Sequence, residues 1–329
     1  MTAAARQRLV YVMASSHSGS TLLALLLASH PEVTTVGELN ASAIDDPDRY
    51  RCSCGTLIRE CEFWRRIAER MAGHGFQFDV TQAATDYRAG AGPLTRRLLA
   101  PLHRGPLLEW CRDTVLKMSP EWRRRLPALQ ARNAALAACV AAESNARVVV
   151  DSSKVGLRLK FLLRNRRLDV LVLRLVRDGR AVALTYMDPA RYADAADPAM
   201  RGGGFGGTRE RERIDMTAAA RQWRRGQEEA EAIRRTVPRD RWMDVRYETL
   251  CREPEETLSR LFRFVGVDAG RPRMPFRRAG RHVVGNGMRL DSTDGVRLDD
   301  RWATELGVSE RKMFDAVAGA WNRRLGYQS

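Results

Sequence analysis

The feature that most constrains this chain is a join without a linker. Residues 8–14, RLVYVMA, are β-branched and apolar, and they run straight into SSHSGST and then LLALLL. This is the pattern of a buried strand, a polar turn and a helix apolar nearly all round, and the helix is expected to stop before Pro31. The pattern returns. ARVVVDSSK (146–154) reads as a strand ending in an Asp-Ser-Ser turn, with a helix to about residue 166. LDVLVLRLVRDGRAVALTYM (168–187) reads as strand, tight Asp-Gly turn and helix. EVTTVGE (32–38) is a short strand, RWMDVRYETL places another near 242–247, and PEETLSRLFRFVGV is an amphipathic helix after it. Strands alternating with helices, each turn polar at the strand's carboxyl end, predict an α/β fold. Its open, mainly parallel sheet is flanked by helices and binds ligands along that edge.

The 329 residues suffice for one domain over 1–329. Residues 60–72 and 107–145 are helical in pattern and fall in an insert of about 50–145. Residues 188–215, with GGGFGG at 202–207, show no periodicity and read as a long loop or lid. Residues 270–300 are rich in Arg and Gly, and Trp223 sits on an amphipathic helix as a packing residue. There is no repeat of fixed period. No apolar run approaches the roughly 20 residues that span a bilayer, and the N-terminal run is too short for a secretory signal. A cytoplasmic protein without stable membrane insertion is therefore expected, and homodimer formation is left open.

The formal net charge is +16, carried by Arg, since Lys occurs only at 117, 154, 160 and 312. That balance implies an anionic partner. Nucleic acid is the weakest candidate, because no aromatic residues are interleaved with a basic patch. Of six cysteines, Cys111, Cys139 and Cys251 are scattered, whereas Cys52-Ser-Cys54-Gly-Thr-Leu-Ile-Arg-Glu-Cys61 is clustered. Three Cys fall short of a tetrahedral zinc set unless His74 or another ligand joins them. Packing thiols and no metal are the expectation.

The turn after the first strand, Ser15-Ser16-His17-Ser18-Gly19-Ser20-Thr21, is built like a phosphate cradle, with successive amides and a helix N-terminus aimed at one spot. Triphosphate-binding loops end in Gly-Lys-Ser/Thr. Here Ser20 stands where that Lys would be, which fits a mononucleotide phosphate better than a triphosphate. The same residues also fit an ordinary N-capped helix.

Ser18-Gly19-Ser20-Thr21-Leu22-Leu23, then His30-Pro31, then Gly37-Glu38, resembles the opening of sulfotransferases that use 3′-phosphoadenosine 5′-phosphosulfate. Val176-Arg177-Asp178-Gly179-Arg180-Ala181 with Thr185 resembles that family's second signature. Glu38 and Lys154 are similar to residues of the tyrosylprotein sulfotransferase branch, and HVVGNGMR and RRLGY to the tails of bacterial members. The resemblance implies a P-loop, nucleotide-kinase-like sulfotransferase architecture. It also implies a donor held at two places and no required metal. Ser16, His17, Ser18, Gly19, Ser20, Thr21 and Leu22 would take the 5′-phosphosulfate. Arg177 and Thr185 would take the 3′-phosphate, and Tyr247 and Arg289 would close over the nucleotide.

Sulfuryl transfer needs in-line alignment and charge stabilisation. Glu38, at a strand end beside the cradle, is the general-base candidate. Lys154 would neutralise the leaving group's bridging oxygen. His17 departs from the family, which carries Lys or Arg there. It would act as a protonated contact, as a neutral donor, which is the preferred reading, or as a sign of reduced activity. The acceptor is a small molecule, glycan, lipid or peptide Tyr. The alternative readings are a small-molecule kinase using ATP and Mg²⁺, with Asp151 as metal ligand, and a basic nucleic-acid module.

Overall fold

The computed structural model describes residues 6–40, 44, 46–100, 105–193, 195, 213–271, 273–276, 282–291 and 295–328. The GGGFGG stretch lies outside the described residues, as does most of the expected loop around it. Five strands form one sheet: β1 (Gln7–Ala14), β2 (Val33–Thr35), β3 (Val148–Asp151), β4 (Leu168–Val176) and β5 (Trp242–Arg246). Their order is β2-β3-β1-β4-β5 and every pairing is parallel. The open parallel sheet expected from the sequence is thus present.

The three central strands, β1, β3 and β4, are largely apolar because both faces of the sheet are covered there. Side chains alternate along a strand. Leu9, Tyr11 and Met13 of β1 join Val149 and Val172 in a core closed by the helices Glu62–Gly73, Pro120–Glu143 and Met216–Arg234. Val10 and Val12 join Val150 and Leu173 on the opposite face, under the helices Ser20–Leu27 and Pro254–Val265. Each such aliphatic side chain contributes about 1.5–3 kcal/mol on burial, so the sheet is held from both sides. Trp223 is fully buried and packs against Phe314, as its helix pattern predicted.

Several boundaries differ from the sequence reading. The first helix ends at Leu27, and Ser29 and His30 close a tight turn on Leu26 and Leu27. The stretch 107–145 is two helices, Pro106–Met118 and Pro120–Glu143. Proline disfavours a helical residue before it, so Ser119 turns extended and its hydroxyl accepts from the Trp122 amide at 3.3 Å. The helix after β3 stops at Leu162, short of residue 166. Pro189–Tyr192 forms a short helix inside the span read as aperiodic.

The chain leaves β1 for the outer β2, returns to β3 beside β1, and then crosses β1 to reach β4. The direction of winding therefore reverses at β1. In open parallel sheets a crevice opens at the carboxyl ends of the strands flanking such a reversal. The turns after β1, β2, β3 and β4 all lie along this edge.

Candidate active site

The turn after β1 is shaped by two residues with left-handed backbone, His17 (φ 64°) and Gly19 (φ 87°). A side chain at Gly19 is excluded twice over. Its φ disfavours one, and a Cβ there would come within 2.5 Å of the Tyr247 ring. Helix Ser20–Leu27 begins directly after it, with Gly19 as N-cap and no side chain capping the first-turn amides. The N-capped reading of this turn therefore does not describe it: the first-turn N–H groups are open to an external acceptor. Ser18 is fully buried, and its hydroxyl has no hydrogen-bond partner. Ser15 is anchored from outside the loop by Gln227, whose side-chain amide donates to its hydroxyl at 3.1 Å.

Glu38 and Lys154 meet. The Lys154 ammonium donates to Glu38 Oε1 and, at 3.0 Å, to the Ser152 carbonyl. Both side chains are largely covered, 26% and 14% exposed respectively. The pair is 116 residues apart in sequence, and the two turns that carry it are laced together. Thr35 donates to the Val150 carbonyl, Ser152 N donates to Gly37 O at 2.9 Å, and Asn40 N donates to the Ser153 hydroxyl. Under them lies Asp151, fully buried. Its Oδ1 accepts from the amides of Leu39 and Ser153, and its Oδ2 from Arg158 Nε at 3.0 Å. Lys154 itself has φ 67°. A non-glycine residue held there costs about 1–2 kcal/mol. Such strain persists where the surroundings fix it, as at functional sites.

Arg177, at the end of β4, reaches two segments. Its Nη1 donates to the His17 carbonyl at 2.9 Å, and its Nη2 to the Asp299 carbonyl at 2.7 Å and carboxylate at 2.9 Å. The guanidinium lies over the Tyr247 ring, and its Nε has no acceptor. Asp299 was not foreseen from the sequence. Burial raises its pKa, but Arg301 and Arg177 outweigh that and hold the carboxyl down at about 2.

Three further expectations find a different setting. The Thr185 hydroxyl donates to Ala181 O within its own helix, so in this conformation it has no proton to offer a phosphate. Tyr247 is a core residue pressed on Gly19, and its hydroxyl accepts from the Asp299 amide at 3.3 Å. Burial raises its pKa. Arg289 lies over the Tyr50 ring and donates to the carbonyls of Gly285, Asn286 and Arg51. It pins one loop to another and offers no open fork. The cysteines of the insert come together with His282 rather than with His74, which is exposed at the end of its helix.

A cavity of about 560 Å³ opens beside Lys154. Ser15, Ser16, Ser153 and Lys154 line one side, and Arg221 and Arg225 of helix Met216–Arg234 line the other. The four-residue spacing of those arginines places them on one face, a signal already present in the sequence.

The model of the sulfotransferase family matches residues 113–270, just under half of the chain, a stretch that includes Lys154, Arg177, Thr185 and Tyr247. No curated protein sequence matches the chain. Among solved structures, the sulfotransferase domain of the olefin synthase from Synechococcus PCC 7002 aligns at 16% identity. It covers 100% of this chain and 98% of that one, with a TM-score of 0.48. A sulfotransferase domain from the curacin biosynthetic pathway aligns at 17% identity, covering 97% of each chain with a TM-score of 0.47. A Mycobacterium avium sulfotransferase aligns at 12% identity over 99% of this chain and 78% of that one, with a TM-score of 0.48. Over residues 113–270, then, this chain is similar to the sulfotransferase family.

Proposed function

We propose that the chain transfers the sulfuryl group of 3′-phosphoadenosine 5′-phosphosulfate to an acceptor hydroxyl or amine, with Glu38 as general base. The acceptor oxygen attacks sulfur and its proton passes to Glu38. The bond from sulfur to the bridging oxygen breaks, and adenosine 3′,5′-bisphosphate departs. The first-turn amides from Ser20 to Leu22, which no side chain caps, would face the 5′ end of the donor. Lys154, already against Glu38, carries the charge that the bridging oxygen needs as it leaves. Arg177, whose Nε has no acceptor, would take the 3′-phosphate as its Nη2 gives up the Asp299 carboxylate.

The single observation that carries this reading is the Glu38–Lys154 contact, held by two laced turns at the carboxyl ends of β2 and β3. Asp151, the metal ligand a kinase would need, instead has both carboxylate oxygens committed to Arg158, Leu39 and Ser153. The cavity beside Lys154 would take the acceptor, and its lining of Arg221, Arg225 and Glu229 suits one with polar substituents.

The test is thermal stabilisation of the full chain by adenosine 3′,5′-bisphosphate against ATP with Mg²⁺. A rise in melting temperature with the bisphosphate alone, without metal, is expected. Stabilisation by ATP-Mg²⁺ and not by the bisphosphate would overturn the reading. Among the described residues no helix is long and apolar enough to cross a membrane.

A further inference from the structure

We propose that Cys52, Cys54, Cys61 and His282 bind one zinc ion, and that this ion fastens the segment beside Glu38 to the insert. The four ligand atoms lie within 4.8 Å of one another. Cys61 Sγ is 3.7 Å from the sulfurs of both Cys52 and Cys54 and 3.1 Å from His282 Nδ1, and Cys52 Sγ is 3.7 Å from the same nitrogen. A tetrahedron with zinc–sulfur bonds of about 2.3 Å has edges of about 3.8 Å between sulfurs. The sulfur pairs along Cys61 already stand at that spacing. A disulfide would bring two of them to about 2.05 Å and leave the third sulfur and the imidazole unused.

The local backbone is built for ligation. Arg51 and Leu57 pair across a tight hairpin. Cys52 N donates to Thr56 O at 2.9 Å and Gly55 N to Cys52 O at 2.9 Å, with Gly55 in the left-handed region. The amide of Cys54 points at the Cys52 sulfur and that of Trp64 at the Cys61 sulfur, as suits thiolates. The His282 ring is stacked on Phe63 with centroids 4.4 Å apart and planes 4° from parallel, which fixes its orientation. Three thiolates and one imidazole form a complete tetrahedral donor set of soft and borderline ligands. That set selects zinc and leaves no open position for a substrate, so the site is structural.

What the ion would hold follows from the next residues. Val283 N donates to Ser53 Oγ at 2.8 Å and Gly285 N to Tyr50 Oη at 2.7 Å. Val284 pairs in parallel with Gly37, its amide donating to Val36 O at 2.9 Å. A Cβ on Gly285 would lie 3.3 Å from Glu38 Oε1. The cluster therefore joins residues 52–61 to a strip that forms one wall of the carboxylate. The ion would position that wall and take no part in bond making. The inference stands whether or not the reaction is the one proposed above.

The test uses the full chain, purified without metal-chelating resin and analysed by elemental mass spectrometry. About one zinc per chain is expected, and replacement by cobalt should give the thiolate charge-transfer band and intense visible bands of tetrahedral cobalt. Cys54→Ser and His282→Ala should lower retained zinc at least about tenfold, whereas Cys111→Ser, at an exposed cysteine outside the cluster, should retain it. A natively folded wild-type chain with less than about a tenth of a zinc and no cobalt spectrum would overturn the proposal. So would a thiol count showing Cys61 oxidised to a disulfide in the purified protein. Both readouts use the wild-type chain, so poor folding of a variant does not shield the idea.

Discussion

If Arg177 takes the 3′-phosphate as proposed, Asp299→Asn should tighten binding of adenosine 3′,5′-bisphosphate, because the Asp299 carboxylate now engages that guanidinium. Arg177 Nη2 is 2.9 Å from Asp299 Oδ2, and Arg301 grips the same carboxylate at 2.7 and 3.0 Å. Together the two arginines overcome burial and hold the carboxyl at about 2, against a usual 3.8. Nearly two units at about 1.4 kcal/mol each gives roughly 2–3 kcal/mol for both arginines net of burial. Arg177's share is then about 1 kcal/mol. A dianionic phosphate arriving at Arg177 must give up that pair or sit beside a like charge. Asparagine keeps the shape and removes the charge, so the dissociation constant should fall roughly three- to tenfold.

Calorimetric titration of the wild-type and variant chains at one fixed ionic strength measures this. Adenosine 5′-monophosphate serves as the control ligand, because it lacks the phosphate in question. Unchanged or weaker bisphosphate binding by the variant refutes the reasoning, as does an equal gain for the monophosphate. Acid cannot imitate the substitution. A carboxyl depressed in the folded state contributes its pairing above its unfolded value and loses it only as pH falls through about 2. Acidification from neutrality to about pH 5 should therefore leave this latch closed.

Glu38→Gln should lower kcat by about 10²- to 10⁴-fold, the range for loss of a general base, with bisphosphate affinity by calorimetry little changed; full activity at neutral pH would remove Glu38 from the chemistry. Lys154→Met should depress kcat while leaving the thermal shift with bisphosphate in place, and loss of the shift alone would move Lys154 from the reacting atoms to ligand binding. Gly19→Ala forces a side chain into left-handed backbone against Tyr247 and should cost at least about 1–2 kcal/mol in urea unfolding while weakening bisphosphate binding. If His17 acts uncharged, the rate at saturating donor stays level up to about pH 8; a fall through the ordinary imidazole value of about 6.5 would make it a cation instead.

The sheet was legible because a strand buried on both faces must be apolar throughout, and β1, β3 and β4 have no other reading. The turns were legible because polar residues at strand ends break that run. Contacts between distant turns were not. Glu38 and Lys154 could each be assigned to a strand end, but only the β2-β3 neighbourhood makes them a pair. Thr185 was placed by resemblance to a family signature, yet a mid-helix hydroxyl readily bonds the carbonyl one turn back, as this one does. His282 lies 221 residues from Cys61 in a stretch without periodicity, so no pattern links it to the cysteines. Asp299 is an ordinary Asp next to another until the fold sets it on Arg177.

The buried Asp151–Arg158 pair explains how a carboxylate at this edge can be held still. A buried ion pair is by itself a poor source of stability, since desolvation offsets most of the attraction. Its oxygens instead gather the amides of Leu39 and Ser153, one from each turn, while Arg158 Nη1 donates to Thr85 O of the insert. The Glu38 turn is therefore fixed from below by Asp151 and from the side by the Gly37–Val284 pairing. Two independent anchors restrict Glu38 far more than either turn could alone, and the entropy lost in fixing it is met during folding, before a substrate arrives. That division also assigns the insert a role: through Thr85 and through the cysteine hairpin, it carries both anchors.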